Sequence, residues 1–235
     1  MAELLDAEVE LVPIRTSGDA GAVLGDKSRF VKEIEDALMR RDVDLAVHSA
    51  KDVPGELPDG LSIVGVPARA DARDSLCGTA GSLDGLPEGA SVGTSSLRRR
   101  TQLLALRPDL DVVELRGNVD TRLRRLAEGE YDAVVLAAAG LARLSRDEGE
   151  PIDQRLMTPA PGLGCLALEA RTDDERASEL AAAVTDRAAL QALTAERAVV
   201  SALDASCRTP LAAHAEHVDG GLVLSAFAGL PDGSE

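Results

Sequence analysis

Aromatic side chains are almost absent from this chain of 235 residues: one Tyr, two Phe and no Trp. Aliphatic groups must therefore fill its core. Cysteine is scarce too. Cys77, Cys165 and Cys207 are odd in number and widely spaced, which excludes a disulfide framework and fits no metal-ligand spacing. The histidines, His48, His214 and His217, fall in no Cys/His cluster, so no metal site is expected. No apolar run is long enough to span a bilayer, and no membrane association is expected. Positive charge is in short supply, with 25 Lys+Arg against 41 Asp+Glu and a formal net charge of -16. That balance argues against broad nucleic-acid binding, which needs phosphate neutralisation over a wide surface. The start, Met1-Ala2-Glu3-Leu4-Leu5-Asp6, has no basic n-region, so we expect no secretory signal and a cytoplasmic location.

The chain is 45% hydrophobic and 28% charged, ordinary for a soluble globular protein, and long enough for two domains or three small ones. The few basic residues are not evenly spread. Eight of the 25 Lys+Arg lie within residues 98–125. They fall in two segments: Gly93-Thr94-Ser95-Ser96-Leu97-Arg98-Arg99-Arg100, and Glu114-Leu115-Arg116-Gly117-Asn118-Val119-Asp120-Thr121-Arg122-Leu123. Each follows a short apolar run and opens a predicted helix. Free N–H groups at a helix start favour an anion, and arginines add bidentate carboxylate or phosphate recognition. Arginines at a helix start oppose the dipole, which points to a compensating bound anion. The plainer reading of residues 98–100 is a charged helix face.

Strand-like and helix-like segments alternate along the chain. Strands are predicted at residues 9–14, 44–48, 61–66, 90–92, 111–115, 132–137 and 166–169. Helices are predicted at 30–40, 97–106, 119–128, 138–144, 175–184 and 187–203. Residues 67–89 read as a Gly-, Asp- and Pro-rich loop. Asn118 is a plausible N-cap, Gly129 a helix end, and Pro159-Ala160-Pro161-Gly162-Leu163-Gly164 an interdomain hinge. Strands at 211–218 and 222–227 around Asp219-Gly220-Gly221 predict a hairpin in a small third module. The alternation implies parallel sheets, with ligands beyond the carboxyl ends of the strands, so the two arginine segments should converge.

Ala46-Val47-His48-Ser49-Ala50-Lys51-Asp52-Val53-Pro54 also leaves the end of a buried strand. It offers Ser49, Lys51 and Asp52. A carboxylate beside a lysine can stabilise a developing cation or shuttle a proton. The plainer reading is a solvated loop with a chance Lys-Asp pair. Cys77 and Cys165 read as buried apolar thiols.

These strings, with Phe30-Val31-Lys32-Glu33-Ile34-Glu35, Gly129-Glu130-Tyr131-Asp132-Ala133, Thr194-Ala195-Glu196-Arg197 and Cys207-Arg208-Thr209-Pro210, resemble the porphobilinogen deaminase (hydroxymethylbilane synthase) family in order and over nearly the whole chain. The resemblance implies an α/β fold: two periplasmic-binding-protein-like domains with mainly parallel sheets, plus a small α+β C-terminal domain. The boundaries expected are 1–67 with 167–186, 72–160, and 187–235. It implies a transferase of tetrapyrrole (haem) biosynthesis that adds four porphobilinogens to a covalent dipyrromethane cofactor and releases hydroxymethylbilane. It implies a monomer whose substrate is porphobilinogen. By motif position, Cys207 carries the cofactor thioether and Asp52 is the catalytic carboxylate. Ser49, Lys51, Thr94, Ser96, Arg98, Arg99 and Arg122 match cofactor-holding positions, and Lys27, Arg116, Asn118 and Arg143 match positions near incoming substrate. Pyrroles that each carry an acetate and a propionate explain arginine loops in an acidic protein.

The match has departures. Nothing before Val9 corresponds to the family's first strand and its Arg-Ile-Gly-Thr-Arg-type motif, and the C-terminal end is short, so a chain lacking both ends is expected. Gly25-Asp26-Lys27-Ser28-Arg29-Phe30 stands where the family has Gly-Lys-Gly-Leu-Phe, and Gly162-Leu163-Gly164 where it has Gly-Gln-Gly. The alternative function is a non-catalytic carboxylate- or tetrapyrrole-binding module.

Overall fold

A computed structural model describes residues 2–14, 28–205 and 209–233, except for the side chains of residues 28–30. Lys27 and Cys207 lie outside the described residues. In chain order the elements are α1 (Ser28–Met39), β1 (Ala46–Ser49), β2 (Leu61–Gly65), β3 (Asp74–Gly78), β4 (Ser91–Gly93), α2 (Leu97–Leu106), β5 (Asp111–Val113), α3 (Val119–Ala127), β6 (Ala133–Ala137), α4 (Ala138–Arg143), β7 (Glu150–Pro151), β8 (Leu166–Arg171), α5 (Glu175–Ala183), α6 (Arg187–Ala202), β9 (Leu211–Val218) and β10 (Gly221–Ala228). Single turns of 3-10 helix occupy Ala2–Leu4 and Ala50–Asp52.

Contacts gather the chain into two compact units. The first holds residues 1–70, 165–207 and 215–224, and the second holds residues 71–164, 208–214 and 225–235. The chain passes between the units after residues 70 and 164. In the first unit α6 packs inward. Its small apolar face, Ala189 and Leu193, is buried with Ala50, Val53, Val66, Cys165 and Ala167 in the first unit.

In the first unit the sheet order is β1-β8-β2, and both pairings with β8 are antiparallel. α1 is amphipathic and places Leu38 against Ala46 and Leu61. α5 crosses β2 at Gly65, where a Cβ would lie 2.7 Å from the Ala181 carbonyl oxygen, so only glycine permits this approach. Arg171, nearly buried, donates to the carbonyls of Leu38 and Val43 and ties the α1–β1 connection to β8.

In the second unit the order is β5-β4-β6-β3-β7. β4 pairs in parallel with β5 and β6, as strand–helix alternation requires, whereas β3 pairs antiparallel with β6 and β7. Strand alternation separates two cores. Ala133 and Val135 of β6 face Leu103 of α2, while Val134 and Leu136 face Leu141 of α4 and the apolar side of α3. The α/β class read from the sequence therefore holds.

Two readings need correction. Residues 9–14 form no strand, because nothing among the described residues pairs with them: Leu11 is 77% exposed and Pro13 has no N–H to give a ladder. The supposed loop at 67–89 contains β3, whose charged flanks hide a stretch of five residues, four of them buried. The hairpin is present, with β9 beside β10 and Gly220 at φ 95° in the turn.

Candidate functional site

In the first unit, β1 delivers the chain to the single 3-10 turn that carries Lys51 and Asp52. The turn is fixed by Ala50 N–H donating to the Cys165 carbonyl at 3.1 Å. Ser49, Asp52 and His48 line a pocket of about 240 Å³ with Val31, Ile34 and Val47. Ser49 and Asp52, both named from the sequence, thus line one pocket, and His48 joins them. Beyond the turn, Arg197 of α6 donates to the Pro54 and Gly55 carbonyls at 2.7 and 2.9 Å. The preceding residue, Glu196, is fully buried and takes both terminal nitrogens of Arg69 at 2.6 and 3.2 Å. The Thr194-Ala195-Glu196-Arg197 string therefore anchors the chain after the pocket loop, at Pro54 and Gly55 and again at Arg69.

In the second unit the two arginine segments do come together. Nη2 of Arg122 lies 3.4 Å from Oγ of Ser95, and its Nε donates to the Gly117 carbonyl at 2.7 Å. The anion that the helix-start position of Arg98 and Arg99 calls for is provided, in part, by the chain itself. Asp74, at the head of β3, is 1% exposed. Its Oδ2 accepts from Arg98 Nη2 at 2.6 Å, and its Oδ1 accepts from Arg99 Nε and Nη2 at 2.9 and 2.7 Å. Burial alone would raise this carboxyl, but the two guanidinium groups hold it below the usual carboxylate range. Arg98 also donates to the Thr158 carbonyl, and Arg99 to that of Val135.

Other arginines of the basic run are likewise paired at home. Arg116 meets Glu114, Arg107 meets Asp109, Arg124 meets Glu128 and Arg125 meets Glu130. Arg100 and Arg122 have no carboxylate partner among the described residues. The local positive excess is therefore narrower than the sequence implies. It centres on Arg98 and Arg99, two cations on one carboxylate, with Arg122 close enough for its charge to oppose that of Arg99. Burial and then the nearby Arg99 lower the Arg122 pKa, the direction expected of crowded cations. The buried Nε of Arg98 has no hydrogen-bond partner.

Three small polar residues around this excess lend oxygen to the backbone. Thr94 Oγ1 accepts from Ser96 N–H at 3.2 Å, Ser96 Oγ from Arg99 N–H at 3.4 Å, and Asn118 Oδ1 from Thr121 N–H at 2.9 Å. Each keeps its own hydrogens: the two hydroxyl protons and the Asn118 amide protons. A site of guanidinium, O–H and N–H donors with surplus positive charge is chemically suited to carboxylates. Arg143 donates to the Gly164 carbonyl at 2.8 Å, at the break between the units.

Residues 1–179 match the family described as porphobilinogen deaminase, dipyromethane cofactor binding domain, and residues 190–235 match its C-terminal domain. The chain belongs to the porphobilinogen deaminase family. Related porphobilinogen deaminases include those of Deinococcus radiodurans (46% identical, over 98% of this chain and 78% of that one), Roseiflexus sp. (52%, 89% and 70%) and Thermus thermophilus (49%, 97% and 77%). A periplasmic substrate-binding protein from Coxiella burnetii is more loosely similar, at 18% identity and TM-score 0.43 over 67% of this chain and 77% of that one.

The cofactor-binding match of this porphobilinogen deaminase family chain contains both the pocket of Asp52 and the arginine site, and the donors in that site fit a carboxylate-bearing dipyrromethane. Reading the sequence missed Asp74, because β3 was taken for loop. It also missed Glu169 and Glu35, which are isolated acids on apolar elements. The only signal for Asp74 is a lone acid at the start of a short apolar stretch.

Proposed function

We propose that the chain is a hydroxymethylbilane synthase, which releases ammonia from porphobilinogen, joins four units head to tail, and liberates the linear tetrapyrrole. The family match over residues 1–179 and 190–235 carries this reading. Dipyrromethane, when bound, supplies the nucleophilic pyrrole carbon that starts the chain. Cys207 is the proposed anchor. Cys77 is a poor one, because burial, then Glu148, pushes its thiol up to about 11, and a thiol is not the nucleophilic form.

Asp52 is the proposed catalytic carboxylate. It would stabilise the cation left on porphobilinogen when ammonia departs, and its preset position in the 3-10 turn avoids reorganisation at that moment. Ser49, Lys51, Thr94, Ser96, Arg98, Arg99 and Arg122 are the proposed holders of cofactor carboxylates. Lys27, Arg116, Asn118 and Arg143 are proposed to receive incoming porphobilinogen. The half-exposed pair of Arg116 with Glu114 suits that task, since exposed ion pairs are worth about 0–1 kcal/mol and exchange partners easily. The family resemblance also supports a monomer in the cytoplasm.

The test is incubation with porphobilinogen. Release of ammonia with formation of a linear tetrapyrrole is expected. Saturable binding without ammonia release would instead make the chain a carboxylate- or tetrapyrrole-binding module.

A further inference from the structure

Glu169 sits on the central strand of the first sheet, fully buried, with Ala46 and Ile63 as its neighbours on β1 and β2. A carboxylate there is costly unless it is used. Its Oε2 lies 2.8 Å from Nε2 of His48, a close contact without the alignment of a hydrogen bond. His48 pairs with Ala167, two residues before Glu169, so the contact is a diagonal one across the same face of the sheet. His48 also lines the pocket of Asp52 and is four residues before it.

Arg197 separately holds the Pro54 and Gly55 carbonyls, two and three residues after Asp52. The buried carboxylate thus meets, through His48, the strand end that delivers the turn carrying the proposed catalytic group. Among the described residues, α1 adds Glu35, which feels the charges of Glu169, His48 and Asp36. Burial, then Glu169, pushes the Glu35 carboxyl up, with His48 acting in the opposite sense.

We propose that Glu169 is a positioning residue for Asp52, acting through His48 at the start of the turn. It touches neither substrate nor cofactor. The role of Asp52 in this statement rests on the proposed synthase function, but the placement of the turn does not.

The test uses Glu169→Gln, which keeps shape and removes charge, and His48→Gln, which keeps Glu169 and replaces the imidazole that it meets. Two readouts are taken on the full chain. The first is the set of backbone amide resonances of Ala50, Lys51, Asp52 and Val53. These should shift in both variants, while the amides of the second unit stay in place. The second is steady-state turnover of porphobilinogen. Here kcat should fall about tenfold with KM and covalent cofactor mass unchanged, as expected when a reacting group is displaced slightly. If the four amides stay fixed in a folded Glu169→Gln variant, the proposal is wrong, whatever the activity. Equal loss of kcat and cofactor mass would also overturn it, since Glu169 would then be serving cofactor assembly. If the wild-type chain releases no ammonia, the synthase reading fails, and the amide shifts still decide the positioning role. Should Glu169→Gln not fold, His48→Gln carries the same two readouts.

Discussion

Arg99 grips Asp74 with two nitrogens on one oxygen, Nε at 2.9 Å and Nη2 at 2.7 Å, inside a site closed to solvent. Arg98 takes the other oxygen. One carboxylate thus holds two guanidinium groups in place at the start of α2, and leaves them with positive charge to spare.

Removing that carboxylate should be severe. Asp74→Asn leaves two buried cations without a counter-ion, and breaking a buried pair by deleting one partner costs about 3–5 kcal/mol. Denaturant unfolding should show a loss of that order, and mass spectrometry should show reduced cofactor. The pH dependence has a defined sign. A depressed carboxyl contributes stability that is fully present above its unfolded value near 3.8 and is lost as pH falls through the lower folded value. Asp74→Asn should therefore lose the part of the acid-side stability slope below about pH 4 that wild type shows.

Glu35 should behave in the opposite sense. Its carboxyl is raised above 4.5 by burial and by Glu169, so the folded chain binds this proton more tightly than the unfolded one. Its contribution falls as pH rises from about 4.5 through the folded value. Glu35→Gln should flatten that decline and be at least as stable as wild type at pH 7. Unfolding midpoints measured from pH 4 to 8 check this. A steeper decline in the variant would contradict it.

The arginines should divide by burial. Arg98→Leu should cost stability as well as cofactor, because Arg98 is 5% exposed and bound to Asp74 and Thr158. Arg116→Leu should leave stability within about 0.5 kcal/mol, as surface changes usually do. It should keep the cofactor but stall elongation, so that partial pyrrole adducts accumulate. Mass spectra after exposure to porphobilinogen, paired with unfolding curves, separate the two. Normal elongation by Arg116→Leu would remove it from the substrate path.

Asp52→Asn should keep fold and cofactor while turnover falls roughly a hundredfold or more, the scale of a preset electrostatic group. Turnover near wild type, with cofactor attached, would show that another group carries the chemistry.

Most of this arrangement was legible in the sequence, for physical reasons that differ from element to element. The helix at Leu97–Leu106 was legible as the segment opened by small hydroxyl residues after a short apolar run, and the Asn118 cap fixed the start of α3. Asp52 was legible because its turn leaves a buried strand. What hid were features that depend on distant partners. β3 begins with Asp74, a residue that strands disfavour, and only the arginines 24 and 25 positions away explain it. The apolar alternation of residues 9–14 predicted a strand, yet a strand exists only when something pairs with it. Glu169 looked like an ordinary end to a strand, and its contact with His48 comes from an antiparallel register that no local pattern encodes.

The central claim is that the chain carries a dipyrromethane on Cys207 for use as a primer. Intact-mass and peptide analysis of the chain produced in cells that make porphobilinogen tests it directly. The account predicts a mass above that of the bare sequence by two linked pyrrole units, located on the peptide containing Cys207 and absent from Cys207→Ser. A bare Cys207 in the wild-type chain, or an adduct that persists in Cys207→Ser and vanishes in Cys77→Ser or Cys165→Ser, would contradict it.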